Sequence, residues 1–191
     1  MTLFNRQISL LPALAMSVLM VGCAGTAPNY SPSVDNVELL KKGNLETIRV
    51  GQVAVTQGMP GASSLGIRAS SISSPVGANY GDYLARALSQ ELELAKLQNL
   101  KSNIEVTGTL LKNNIYAGGF STNAGQMEAR FVVKRADEVK FDKVKKAELK
   151  WDSSFAGAVA IPLAVNNYVV IVQKLLNSLF SDADFVAATK K

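Results

Sequence analysis

Hydrophobic and polar residues alternate with a period of two along several stretches of the chain, a pattern typical of half-buried β-strands. The alternation is clearest in 126–135 and resumes in 144–155, which predicts an antiparallel hairpin. In 47–55 the apolar phase changes at Gly51, which indicates either a β-bulge or a strand buried on both faces. The predicted strands are 47–55, a short one at 65–69, 103–111, 126–135 and 144–155.

Two other stretches repeat apolar residues with the spacing of an α-helix. In 80–97 leucines recur at every fourth position behind Asn79, a favourable N-cap residue. In 162–180 an apolar stripe follows Pro162 and is interrupted by polar residues, which favours a core helix over a membrane span. The elements predict an α+β fold in the order β-(β)-α-β-β-β-α, with a mostly antiparallel sheet of four to five strands and two helices packed on one face.

The first 22 residues have the pattern of a secretion signal. Arg6 supplies a positive charge near the start, 8–20 is uncharged and apolar, and Gly22 places a small residue directly before Cys23, the only cysteine. The stretch is short and is followed by Gly, Thr, Pro, Asn and Ser, which favours a cleaved signal over a membrane span.

The residues around the cysteine resemble the lipobox of bacterial lipoproteins, here Leu19-Met20-Val21-Gly22-Cys23. The resemblance implies cleavage between Gly22 and Cys23 and attachment of diacylglycerol and acyl chains such as palmitate to Cys23. Because Ala24 follows, and not the aspartate that commonly signals retention in the inner membrane, the expected location is the periplasmic face of the outer membrane. The alternative is an ordinary secretion signal that leaves a free thiol.

Residues 23–44 contain prolines, glycine and several Ser and Asn residues around one brief apolar patch. This composition predicts a flexible tether between the lipid and the remainder of the chain. Residues 45–191 are then expected to form a single periplasmic domain.

Composition narrows the possible chemistry. The chain has no histidine, and its one cysteine is assigned to lipid, so Ser-His-Asp and Cys-His catalysis and the usual zinc ligand sets are excluded. A net charge of +5 is too small to favour nucleic acid as a partner. We therefore expect a protein that is not an enzyme and that uses no metal or cofactor, with a hydrolase based on two carboxylates as the remaining catalytic alternative.

Two sets of residues are candidates for a partner surface. Lysines crowd the predicted hairpin at Lys140, Lys143, Lys145 and Lys146. They could bind anionic lipid headgroups, lipopolysaccharide phosphates or an acidic protein, or they could simply keep an edge strand soluble. Tyr116 and Phe120 lie in a predicted loop and could bind a partner or fill the turn themselves, whereas the alternation places Trp151 and Phe155 in the core.

The order of elements behind the lipobox resembles the small envelope lipoproteins of the YajG type. It is also similar to the α/β domain shared by TolB amino-terminal regions and the lipoproteins that activate penicillin-binding proteins. The resemblance implies a fold and a location, and it brings no functional motif. We expect a non-enzymatic binding or accessory lipoprotein whose partner is a periplasmic protein or a wall component. A lipid or lipopolysaccharide handling protein is the alternative, and it would need an apolar groove between the helices and the sheet.

Overall fold

The computed structural model describes residues 24–191, so the signal segment, Gly22 and Cys23 lie outside the described residues. The helices and strands are β1 Ala24–Thr26, α1 Val34–Lys42, β2 Arg49–Val55, β3 Ser64–Ile67, β4 Ser70–Ser73, α2 Tyr80–Leu94, β5 Ile104–Tyr116, β6 Thr122–Arg135, β7 Glu138–Asp152, α3 Gly157–Phe180 and α4 Ala183–Thr189. The fold class is α+β, as the sequence predicts.

The main sheet has four strands in the order β2-β5-β6-β7. Strand β2 runs parallel to β5, and the other neighbours are antiparallel, so the prediction of a mostly antiparallel sheet is confirmed. The register of β2 shifts between Val50 and Val53, which favours the bulge at Gly51 over the alternative of a strand buried on both faces. The hairpin of β6 and β7 is also confirmed, with its turn at 136–137.

A second sheet of three short strands, in the order β1-β4-β3, lies beside the main one. Strand β3 corresponds to the predicted strand 65–69, and Arg68 and Ala69 form a tight turn into β4. Arg68 has a left-handed backbone with φ of +56°. Strand β1 runs parallel to β4, so the first described residues of the chain belong to this sheet.

Helices α2 and α3 cover one face of the main sheet, as predicted. The Asn79 side chain accepts hydrogen bonds from the backbone N–H groups of Gly81, at 2.7 Å, and Asp82, at 3.2 Å, which confirms the N-cap. The interface between the helices and the sheet is filled by fully buried apolar side chains, among them Leu84, Leu88, Leu92, Phe131, Leu175 and Leu176.

Helix α3 begins five residues earlier than predicted, at Gly157. Among the described residues it is the one helix long and apolar enough to cross a membrane, with 24 residues and a mean hydropathy of 1.5. Here it packs on β6, β7 and the neighbouring helices, and it buries Tyr168, Val172 and Leu179. Its apolar stripe therefore belongs to the core.

The prediction of a flexible tether is wrong for residues 24–44. This segment forms β1 and α1, and it buries Tyr30, Val37 and Leu40. A few apolar side chains are enough to fold this segment, because they pack against the larger apolar surfaces of α2 and α3. The Tyr83 hydroxyl of α2 donates to the carbonyl of Pro28 at 2.9 Å. The folded unit thus includes residues 24–44, which the prediction left outside it.

Candidate interaction surface

The structure does not bring the two sets of predicted surface residues together. Tyr116 ends β5 and pairs with Ala124, which in turn pairs with Lys150 near the end of β7. Lys140 lies ten residues earlier on β7, and at about 3.4 Å per residue it is roughly 34 Å away along the strand. Lys140 therefore lies at the opposite end of the sheet from the aromatic residues, and the other three lysines lie near the middle of β7.

Lys143 and Lys145 connect β7 to the start of α4. Lys143 Nζ lies 3.2 Å from Asp182 Oδ1 and 2.6 Å from Asp184 Oδ2, and Lys145 Nζ lies 3.0 Å from Asp182 Oδ2. Burial by itself would raise the pKa of Asp182, but hydrogen bonds from Lys145, from the backbone N–H of Asp184 and from Lys143 lower it to about 2. These two lysines hold the last helix against the edge strand.

The other two lysines of the hairpin also face carboxylates. Lys140 Nζ lies 2.6 Å from Glu138 Oε2, and Lys146 Nζ lies 3.3 Å from Glu128 Oε2. Exposed pairs of this kind contribute at most about 1 kcal/mol to stability, but they neutralise the local charge. The arrangement favours the interpretation of a soluble, protected edge strand over a surface for an anionic partner.

The aromatic residues at the other end are exposed to solvent. Tyr116 is 52% exposed, Phe120 72% and Phe155 79%. The rings of Phe120 and Phe155 stack with their centroids 5.6 Å apart and their planes at 27°. The prediction of a core position for Phe155 is wrong, because β7 ends at Asp152 and the alternation does not continue through the following bend. Trp151, still within β7, packs against the core.

Arg68 holds the two segments that carry this aromatic pair. Its Nε donates to the carbonyl of Ala117 at 3.0 Å and its Nη1 to that of Phe155 at 2.9 Å. Its Nη2 donates to Ser154 at 2.5 Å and to Gly119 at 3.4 Å. A guanidinium has five N–H donors in a fixed plane, so one side chain ties the β5–β6 loop to the segment before α3.

A groove of about 650 Å³ adjoins the same loop. Its lining is largely small and apolar, with Arg68 and Lys150 as its charged members. The residues that line it are Gly66, Arg68, Ile115, Tyr116, Ala117, Gly118, Gly119, Thr122, Asn123, Ala124 and Lys150. Sequence reasoning identified Tyr116 and missed Arg68, whose one available signal was its position as the only charged residue in 56–81.

A buried polar cluster lies where α2 meets α3 and the segment 30–36. Glu91 is fully buried, and its Oε1 accepts hydrogen bonds from the Tyr30 hydroxyl at 2.5 Å, the Ser33 backbone N–H at 3.0 Å and Asn36 Nδ2 at 3.1 Å. Burial and the bond to the Glu91 carboxylate raise the pKa of Tyr30. Asn36 also donates to the carbonyl of Gln173 in α3. The cluster joins α1, α2 and α3, and sequence reasoning did not identify it.

The described residues offer no evident metal centre. Within 24–191, no three side chains of the types His, Cys, Asp and Glu come together in a way that could hold an ion.

No protein-family model and no curated protein matches the sequence. Solved structures match the fold at 10% sequence identity. Protein XCC0632 from Xanthomonas campestris, of the family DUF330, has a TM-score of 0.55, and the match covers 86% of this chain and 95% of that one. The hypothetical protein CT253 from Chlamydia trachomatis has a TM-score of 0.49, with coverage of 76% and 99%. A candidate lipoprotein from Caulobacter crescentus CB15 has a TM-score of 0.46, with coverage of 80% and 93%. At this identity, the similarity to XCC0632 shows a shared fold alone.

Proposed function

We propose that this protein is a cell-envelope lipoprotein, anchored through Cys23 on the periplasmic face of the outer membrane, that works by binding a periplasmic protein or wall component. The apolar segment 8–20 and the residues Gly22 and Cys23 support the anchor. Two or more acyl chains on one cysteine would hold the protein stably in a bilayer.

The observation that favours binding over lipid handling is the filled interface between the helices and the main sheet. A protein that carries an acyl chain needs an apolar cavity to hold it. In this chain the helices and the sheet share one core of fully buried side chains, which includes Leu84 and Leu88 of α2, Phe131 of β6 and Leu175 of α3. The space that a carried lipid would need is occupied by the protein's own side chains.

The placement of the carboxylates gives little support to a hydrolase. Asp182 and Asp184 come together, but both bind Lys143 at the surface. Glu91 is buried, but its partners are an amide, a backbone N–H and a tyrosine whose hydroxyl has a raised pKa. These contacts indicate structural roles for all three carboxylates.

The anchor is tested on the full chain, expressed in a bacterium with lipoprotein processing. Mass spectrometry of the purified protein should show Cys23 as the first residue, with diacylglycerol and acyl chains attached. A Cys23→Ser protein should leave the detergent phase and accumulate uncut, whereas the matched Gly22→Ala protein, which keeps a small residue at the cleavage site, should be processed. A free thiol on Cys23 of the wild-type protein would disprove the anchor.

The binding role is tested on the same lipoprotein after extraction in mild detergent. Native mass spectrometry should detect the protein with its covalent anchor and without a further lipid, and crosslinking in intact cells should link it to a defined envelope partner. A stoichiometric, non-covalent lipid in the purified protein would favour the lipid-handling alternative.

A further inference from the structure

We infer that the domain rests directly on the bilayer through one end, which inserts Phe120 and Phe155 into the boundary between headgroups and acyl chains. This end, here called the membrane pole, comprises the β5–β6 loop 117–121, the segment 153–156 and the first two turns of α3, 157–163. The inference rests on the proposed function, because it requires lipid on Cys23.

The position of the chain's start places the anchor at this pole. Ala24 pairs with Ser71, and β1 runs parallel to β4, so the chain enters the small sheet at the end where Arg68 and Ala69 turn from β3 into β4. Arg68 reaches from that turn to the carbonyls of both loops of the pole. Gly157, the first residue of α3, lies beside the same guanidinium.

The distance between anchor and domain is too short to hold the domain away from the membrane. Consecutive Cα atoms are about 3.8 Å apart, so Cys23 lies one such step from Ala24, which already belongs to β1. A lipid on Cys23 therefore brings the end of the small sheet to the level of the headgroups. With no tether between them, the orientation of the domain on the bilayer is restricted.

The membrane pole exposes the side chains that a bilayer interface accommodates. Phe120 and Phe155 are 72% and 79% exposed, and Val159 and Leu163 of α3 are 50% and 39% exposed. Aromatic and aliphatic side chains on one surface bind the boundary region of a membrane in proportion to the apolar area that they bury there. Within residues 24–191, no element covers the apolar surface that these four side chains form.

Charge is nearly absent from the sequence segments that build this end of the molecule. The pole segments 117–121 and 153–163, together with the small-sheet segments 24–26 and 64–73, contain one charged side chain, Arg68. Its guanidinium keeps its positive charge, but it already donates to four carbonyls, so inserting the pole would leave few of its N–H donors without a partner. Lys150 and Asp152, at the end of β7, border the pole at the level where headgroup charges lie.

The opposite end of the main sheet is charged, so the two ends of the molecule differ in polarity. There Arg135 lies 2.6 Å from Glu46 and donates to the carbonyl of Lys190 at 2.9 Å. Lys140 and its pair Glu138 lie at the same end, roughly 34 Å from Lys150 at about 3.4 Å per residue. A bilayer at the aromatic end leaves the charged end in the periplasm.

The test uses the processed lipoprotein, reconstituted in vesicles of phosphatidylethanolamine and phosphatidylglycerol at 3:1, with and without brominated acyl chains. A Phe120→Trp protein is compared with a Val139→Trp protein, in which the new indole replaces a side chain that is 50% exposed at the charged end of β7. Trp151 stays in both proteins, and the wild-type signal is subtracted. We expect brominated lipid to quench at least half of the added Phe120→Trp fluorescence and less than a tenth of the added Val139→Trp fluorescence.

The outcomes separate this inference from the proposed function. If mass spectrometry finds no lipid on Cys23, the anchor is disproved and the inference fails with it. If the protein is lipidated and remains with the vesicles, but the two variants are quenched equally, the inference alone is wrong. A Phe120→Trp emission that is blue-shifted yet not quenched would also overturn it, and would indicate that a second copy or a partner protein covers the pole.

Discussion

The Tyr30 hydroxyl donates a 2.5 Å hydrogen bond to the Glu91 carboxylate, and both side chains are buried. The two residues are 61 positions apart, in the N-terminal segment and in α2. Glu91 also binds Ser33 and Asn36, so one carboxylate fixes three points of the segment that precedes and begins α1. Residues 30–36 are thereby part of the fold.

Replacing Glu91 by alanine should destabilise the protein by about 3 kcal/mol, because the hydroxyl of Tyr30 and the amide of Asn36 would remain buried without their acceptor. Urea unfolding of the purified full chain in detergent measures the loss. The matched control is Glu93→Ala on the same helix, whose exposed side chain pairs with Arg86, and it should change the unfolding free energy by less than about 1 kcal/mol. Equal effects of the two substitutions would show that the buried cluster contributes little.

Two neighbouring leucines of α1 test whether this segment is folded. Leu40 is 1% exposed and Leu39 is 37% exposed. Leu40→Ala should reduce the unfolding free energy by about 2–5 kcal/mol, whereas Leu39→Ala should cost about 1 kcal/mol or less. If α1 were a flexible tether, both substitutions would leave the urea midpoint unchanged.

The sequence predicts those features of the fold that depend on neighbouring residues. Asn79 begins α2 because its side chain binds the N–H groups two and three residues later, and the phase change at Gly51 marks a bulge because strand side chains alternate strictly. The hairpin of β6 and β7 follows from alternation in both strands. In each case the pattern and its physical cause lie within one stretch of the chain.

The features that escape prediction depend on residues far apart in sequence. Glutamate usually lies on the exposed surface of a helix, and Glu91 is buried because Tyr30 and Asn36 pack against it. Arg68 lies in a segment rich in Gly and Ser, and its four carbonyl partners come from segments about 50 and 86 residues later. In the sequence Phe155 continues the alternating pattern of β7, but in the structure the strand ends at Asp152. No local pattern distinguishes Glu91 or Phe155 from its neighbours, and the isolation of Arg68 as the only charged residue in 56–81 does not indicate its partners.

The Asp182 carboxylate should make stability depend on pH in acid. Its folded-state pKa of about 2 lies below the ordinary value of 3.8, so its ion pairs stabilise the protein fully above about pH 4 and are lost as the pH falls towards 2. Asp182→Asn should remove about 1 kcal/mol at pH 6 and less at pH 2, as measured by urea unfolding across that range. The control is Asp137→Asn, in the exposed turn between β6 and β7. A constant difference between the Asp182→Asn protein and the wild type at all pH values would contradict the prediction.

Arg68 should resist replacement even by lysine, because an ammonium group cannot bond four carbonyls that lie around a planar guanidinium. Arg68→Lys should lower the unfolding free energy by about 1–3 kcal/mol through unsatisfied carbonyls, and it should free the loop that contains Gly118 and Gly119. Hydrogen exchange should then speed up in 117–121 and 153–156 while the protection of β6 is retained. Arg86→Lys, which keeps an exposed pair with Glu93, is the matched control and should leave exchange in both segments unchanged. Because Arg68 donates to carbonyls of both segments, exchange should speed up in 117–121 and 153–156 together. Faster exchange in only one of them would show that Arg68 does not couple the two segments that carry Phe120 and Phe155.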